Sequence, residues 1–286
     1  NGEDLPEPEW RNDHVIVPER LLREGTNRLR LEFAAAIAPA GASIIRYDDA
    51  TDDTRYLYTL LVPSDAQQLF PVFDQPDLKA RFRWRITAPE DWTVVANGPL
   101  ERTEAAPDGG VRWDFAPTEP ISTYLAAFAA GPWSVVEATR RVGGHPVRLL
   151  LRASRAPEAD ADTLLRQNLD ALAWLEDYFG IPFPFAKLDL VLAPAFPFGG
   201  MEHVGAIFYN ESRFIFREAP TPNQRVGRAA TIYHEIAHQW FGDLVTMRWF
   251  DDLWEKEGFS TFMAAKIQEA LHPEAGAWKR FYLNTR

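Results

Sequence analysis

His234 and His238 stand four residues apart in TIYHEIAHQWFGDLV, and Glu235 directly follows the first of them. On a helix this spacing projects both rings from one face, a turn apart. Neutral imidazole is a good zinc ligand, and two such nitrogens supply half of a tetrahedral shell. Glu235 is rotated to one side of the pair, where it can reach a water on the metal without ligating it. That arrangement is the mechanical sense of His-Glu-x-x-His in zinc hydrolases.

A third ligand is needed, and the segment DDLWEKEGFSTFMAAKIQEAL (251–271) offers one. Eighteen residues separate His238 from Glu257, enough to finish one helix, turn and start an antiparallel partner. Leu253, Trp254, Phe259, Phe262, Met263 and Ile267 read as one apolar stripe with Glu257 beside it. Glu255 is the rival ligand, but two positions along a helix point it well away from Glu257. Two histidines and one glutamate leave the fourth position open for water, a catalytic rather than a structural arrangement. The bland alternative is a pair of satisfied core histidines and a solvated surface glutamate.

These residues must be held by something, and the chain changes character along its length. Up to about residue 152 it reads as short strands, at 14–18, 28–37, 55–63, 79–89, 92–98, 111–115, 124–131, 133–138 and 147–153. Turn signals such as EGTN, APAGAS, APDGG and RVGGHP separate them. Strands so spaced, without helical patterns between them, predict an antiparallel sandwich or curved sheet. After residue 153 the period becomes helical, with Leu164, Leu165, Leu169, Leu172, Leu175, Tyr178 and Phe179 on one face and Gly180 as the stop. Strands are expected at 187–194 and 205–210, and from about Asn223 helix is expected almost to the end, broken at HPEAG (272–276). The expected division is a β-rich domain over 1–152 and an α+β domain over 153–286.

The composition narrows the function classes. A 46% hydrophobic and 25% charged chain of 286 residues is globular, and a net charge of −11 argues against a nucleic-acid partner. There are no cysteines, so a metal must rest on His, Asp or Glu. No apolar run is long enough to span a membrane, and neither compartment nor oligomeric state can be read from these residues.

HEIAHQWFGDLVTMRWFDDLWEKEGFSTF resembles the zinc-binding block of the aminopeptidase N-like gluzincins, which also include leukotriene hydrolase. The resemblance implies one Zn2+ held by His234, His238 and Glu257, with Glu235 as general base. Glu255-Lys256 stands where the family usually has Leu-Asn, and Thr261 is a candidate donor to a ligand histidine. FPFGGMEHVGAIFYNE (196–211) is similar to the family's Gly-x-Met-Glu-Asn segment. By that likeness Gly199, Gly200, Met201, Glu202 and His203 bind substrate as an edge-like strand, Glu202 taking the free α-amine and His203 replacing Asn. LFPVFDQPDLKARF (69–82) resembles a structural signature of the family's N-terminal β domain. Val62 falls where a Gln or Glu often helps hold the amine.

The resemblance implies an all-β N-terminal domain leading into an α+β thermolysin-like zinc-peptidase domain, incomplete at its C-terminus. The family's oxyanion-binding tyrosine lies several dozen residues past the third ligand, beyond Arg286, and Tyr282 is too close to be it. The chain is therefore expected to be a central, poorly active fragment whose parent adds a C-terminal helical domain and further strands at the start. The function implied is zinc-dependent removal of N-terminal residues from peptides with a free N-terminus. The alternatives are a thermolysin-type endopeptidase and a non-catalytic binding module that keeps the fold.

Overall fold

The computed structural model describes residues 4, 7–37, 43–107 and 109–284. A hairpin of β1 (Glu9–Arg11) and β2 (His14–Ile16) precedes the main body. Next in the chain come β3 (Ile44–Asp49), β4 (Thr54–Thr59), β5 (Arg85–Ala88), β6 (Thr93–Ala96), β7 (Leu100–Ala105), β8 (Val111–Phe115) and β9 (Phe128–Gly131). They form two antiparallel sheets, ordered β3-β4-β9-β6 and β5-β8-β7. The expected antiparallel β region is present.

β10 (Trp133–Val142) and β11 (His145–Arg152) form a long hairpin at one side of a five-stranded mixed sheet. After α1 (Ala161–Phe179), β11 pairs in parallel with β12 (Asp189–Ala193), and the sheet is completed by β13 (Gly200–Met201) and β14 (Ala206–Asn210) in the order β10-β11-β12-β14-β13. One hydrogen-bonded sheet thus runs across residue 152, where the sequence placed a boundary. The change of period there marks the first long helix; β11 continues into a parallel neighbour further along the chain.

β12 is buried along its whole length because both faces of this sheet are covered. On one face Leu149, Leu151, Leu190, Leu192, Ile207 and Tyr209 meet the helices. On the other, Leu150, Val191, Ala206 and Phe208 meet Tyr56, Tyr58 and Leu125 of the preceding β region. Polar links reinforce that junction. Asn97 donates to the carbonyls of Leu125 (2.8 Å) and Val204 (3.0 Å), and the buried Arg152 pairs with both Asp49 and Glu211.

The remaining elements are α2 (Glu211–Phe214), α3 (Pro222–His238), α4 (Leu253–Leu271) and α5 (Ala277–Asn284). Asp160 caps α1 by accepting from the Thr163 amide, and Gly180 ends it in the left-handed region at φ 62°, as the sequence predicts. α3 starts at a capping box, Thr221 with Gln224, and Pro222 supplies a ready-made first-turn φ. Helix is not continuous after Asn223: residues 239–252 are turns and one short 3-10 turn between α3 and α4.

Other expectations need correction. Residues 28–37 alternate like a strand yet form none, and Leu29, Leu31 and Phe33 remain exposed. β3 and β7 were not anticipated; β7 is exposed along its length, so it carries no burial pattern to read. The proposed apolar stripe of α4 splits: Met263 and Ile267 are buried while Trp254, Phe259 and Phe262 are exposed. The inward face instead carries Lys256, Ser260, Met263, Ala264, Ile267 and Gln268. The turn at 38–43 lies almost wholly outside the described residues, and that at 106–110 lacks only Asp108.

Candidate metal centre and substrate groove

α3 and α4 lie side by side. Ser260 meets His238, while Gln268, two turns further along α4, donates to the carbonyl of Val226 three turns back along α3. The two helices are therefore antiparallel, an arrangement for which the eighteen-residue spacing leaves room. His234 and His238 face Glu257 across the seam. The two Nε2 atoms are 2.9 Å apart, and Glu257 Oε2 lies 3.2 Å from His234 Nε2 and 3.5 Å from His238 Nε2.

These separations suit a metal ion. A tetrahedral ion with bonds of about 2.1 Å needs donors about 3.4 Å apart. The far sides of the rings are also held. His238 Nδ1 lies 2.8 Å from the Phe241 carbonyl and 2.9 Å from Ser260 Oγ, and His234 Nδ1 lies 3.3 Å from Thr261 Oγ1. Donation from Nδ1–H to the Phe241 carbonyl leaves the Nε2 lone pair of His238 facing the shared point. Glu255, the rival ligand, is exposed on the outer face of α4.

Glu235 is buried at the inner side of the pair. Gly200 of β13 lies against it so closely that a Cβ there would sit 2.6 Å from the carboxyl. Burial pushes the Glu235 carboxyl up; His234 opposes this, while Glu202 and Glu257 add to it. β13 is the edge of its sheet, hydrogen-bonded on one side to β14 through Gly200–Tyr209 and Met201–Phe208. Its other side faces a cavity of about 660 Å³ lined by Gly199, Gly200, Met201, Glu202, His234, Glu235, His238 and Glu257 among others.

Glu202 is buried at this cavity with Lys256 on it, Nζ to Oε1 2.5 Å. Lys256 also reaches Glu257 Oε1 at 2.6 Å, which leaves Oε2 turned to the histidines. Burial alone would raise Glu202, but Lys256 and His238 outweigh it and hold the carboxyl well below the usual range. The ammonium of Lys256 is raised in turn, its two carboxylates outweighing burial. Gln239 fixes the loop by donating to the Glu202 carbonyl at 2.9 Å.

Of the residues singled out in the sequence as ligands, base or substrate contacts, His203 alone does not reach the groove. It is fully buried, packs on Phe208 at 4.5 Å between ring centroids, and neither ring nitrogen has a hydrogen-bond partner among the described residues. Tyr282 is exposed and does not line the cavity. Sequence reasoning missed what Lys256 does, noting it only as a departure from a pattern. It also missed Ser260, which reads as an ordinary helix residue, and Asp243. Asp243 is buried behind the site with neither carboxylate oxygen hydrogen-bonded among the described residues, and burial raises it well above the usual range.

A His-Glu-x-x-His helix, a glutamate on the next helix and a flanking edge strand with a carboxylate at its end together form a candidate metal site of gluzincin type. Residues 164–286 match the Peptidase family M1 domain, and residues 7–125 match the Peptidase M1 N-terminal domain. The chain belongs to peptidase family M1. It is 39% identical to aminopeptidase N of Streptomyces lividans over 94% of its own length and 31% of that protein's. It is 36% identical to endoplasmic reticulum aminopeptidase 1 of Rattus norvegicus (78% and 24% of the two lengths) and 34% identical to glutamyl aminopeptidase of Sus scrofa (84% and 25%). It thus spans about a third or less of these relatives. Among the described residues, no helix is long and apolar enough to cross a membrane.

Proposed function

We propose that this chain carries the metal site and substrate groove of a zinc-dependent exopeptidase that releases N-terminal residues from peptides. The observation that carries the reading is the convergence of His234, His238 and Glu257 beside Glu235, at the edge of a strand that leads directly into Glu202. His234, His238 and Glu257 would hold zinc, which supplies Lewis-acid polarisation of a carbonyl and acidifies water.

The chain's own residues do the rest. A substrate strand laid along the open edge of β13 gains backbone hydrogen bonds and presents one peptide bond to Glu235. Glu235 takes a proton from the attacking water as its oxygen bonds to the scissile carbon, and returns a proton to the nitrogen as the carbon–nitrogen bond breaks. Its buried position against Gly200 keeps the carboxyl from turning away. Glu202 closes the groove and so counts residues from the substrate's end. Similarity to proteins named aminopeptidases supports the same reading.

The test is Glu202→Ala in the full-length protein, assayed on aminoacyl anilides and on an internally quenched peptide. Steep loss on the anilides alone is expected. Equal retention on both would favour an endopeptidase of thermolysin type.

A further inference from the structure

On the exopeptidase reading, on which this inference rests, the substrate's N-terminus lies at Glu202 and its scissile bond at Glu235. The rest of the peptide must then leave past Gly200 and Gly199, towards the start of α3. Charge along this path is opposite in sign to that at the closed end. Every carboxylate lining the cavity, Glu202, Glu235 and Glu257, sits at the metal site or the closed end. Beyond Glu235 the wall on α3 is Thr231, Ala230, Gly227 and Val226, none of them charged. Two cations stand along it instead. A Cβ on Gly199 would lie 3.3 Å from Arg213 Nη1 and 3.4 Å from Thr231 Cγ2, so the Arg213 guanidinium borders the groove beside both residues. Arg213 is exposed and has no hydrogen-bond or ion-pair partner among the described residues. Arg280 lines the cavity further on. It donates from Nε to the Ala275 carbonyl (3.2 Å) and from Nη2 to Asn223 Oδ1 (2.8 Å), which holds the side chain without neutralising it.

We propose that the leaving side of the groove is an anion-selecting subsite with Arg213 as its specificity-determining residue, so that the groove favours peptides carrying a carboxylate shortly after the scissile bond. Thr231 is about 6 Å from Glu235 along α3, and Asn223 about 18 Å. At about 3.4 Å per extended residue, Arg213 stands about two residues past the bond and Arg280 about five. The carboxylate is either the free C-terminus of a di- or tripeptide or an acidic side chain at the same place. A guanidinium is a planar fork that matches a carboxylate, and that of Arg213 has no competing partner to give up. Arg280 keeps the far end of the path positive for longer acidic peptides. The contact is distant from the reacting bond and equal before and in the transition state, so it acts on KM rather than on kcat. Because Arg213 is exposed, salt weakens the pairing.

The experiment uses the full-length protein as wild type, Arg213→Gln, Arg213→Lys and Arg280→Gln. kcat and KM for release of alanine are measured on dialanine and trialanine against their C-terminal amides, and on Ala-Glu amide against Ala-Gln amide. Calorimetry on the metal-free protein gives the binding of the same pairs without turnover. In the wild type, KM and the dissociation constant should be lower for the acid than for its neutral partner by about fivefold, the reach of an exposed ion pair. Arg213→Gln should bring that ratio close to one with kcat little changed, Arg213→Lys should keep part of it, and Arg280→Gln should leave it in place on these short substrates. Loss on the free C-termini alone assigns the subsite to the α-carboxylate of short peptides, and loss on Ala-Glu amide alone assigns it to an acidic side chain. A wild type indifferent to the carboxylate in all three pairs, or a preference that survives Arg213→Gln, overturns the proposal and leaves the exopeptidase reading standing. Cleavage of an internally quenched peptide with no alanine released from any of these substrates sinks that reading and this one together.

Discussion

Gly200 and Glu235 are in contact through the space a side chain would fill: a Cβ at position 200 would come within 2.6 Å of three atoms of the glutamate side chain, its carboxyl among them. Edge strand and metal-site helix thus meet at a residue without a side chain. Gly200→Ala should push Glu235 out of line and lower kcat by about 100-fold, the usual contribution of a positioned general base. Zinc content, measured by atomic absorption, should stay at wild-type level, because no ligand is disturbed.

Removing the base and removing a ligand should separate cleanly. Glu235→Gln should bind zinc normally and lose about 10²- to 10⁴-fold in kcat. His238→Ala should lose the metal, and with it all turnover. Metal titration alongside single-turnover assays distinguishes the two, and a Glu235→Gln variant with wild-type rates would remove Glu235 from the mechanism.

Ser260 and the Phe241 carbonyl both reach His238 Nδ1. Ser260→Ala removes one of the two, so zinc affinity should weaken by roughly tenfold, the lower end of what such supporting contacts provide. Competition with a chelator reads this directly. An unchanged affinity would mean that the carbonyl alone orients the ring.

His203 should make the fold acid-sensitive. Burial without a hydrogen-bond partner pushes its imidazole down from 6.5 to about 3, with Glu202 opposing. The unfolded chain therefore binds a proton below pH 6.5 that the folded chain refuses until about pH 3. Stability from this group is complete above pH 6.5 and falls by up to about 1.4 kcal/mol per pH unit below it. Urea midpoints between about pH 7 and pH 5 should fall less steeply in His203→Asn, and equal slopes would refute the assignment.

Arg152 bridges Asp49 of the first β region and Glu211 after the mixed sheet, with all three side chains buried. Arg152→Met strands two carboxylates and should cost about 3–5 kcal/mol in chemical denaturation. Retention of full stability would show that the junction rests on apolar packing alone.

The sequence by itself brought out the candidate metal ligands and base, the antiparallel β region and the stop of α1 at Gly180. Each is a local matter: helical spacing puts His234 and His238 on one face, and a glycine ends a helix in the left-handed region at no steric cost. It could not show that β11 pairs with β12 across the expected boundary, because strand partners are chosen by packing between distant segments. It misread the outward aromatic residues of α4 as core, since apolar type does not say which face is covered. Above all, Lys256 looked like a variation beside a ligand. Only the tertiary structure turns it inward between Glu202 and Glu257, because antiparallel packing of α4 on α3 brings two carboxylates from separate segments to one buried point, and a cation there pairs with both.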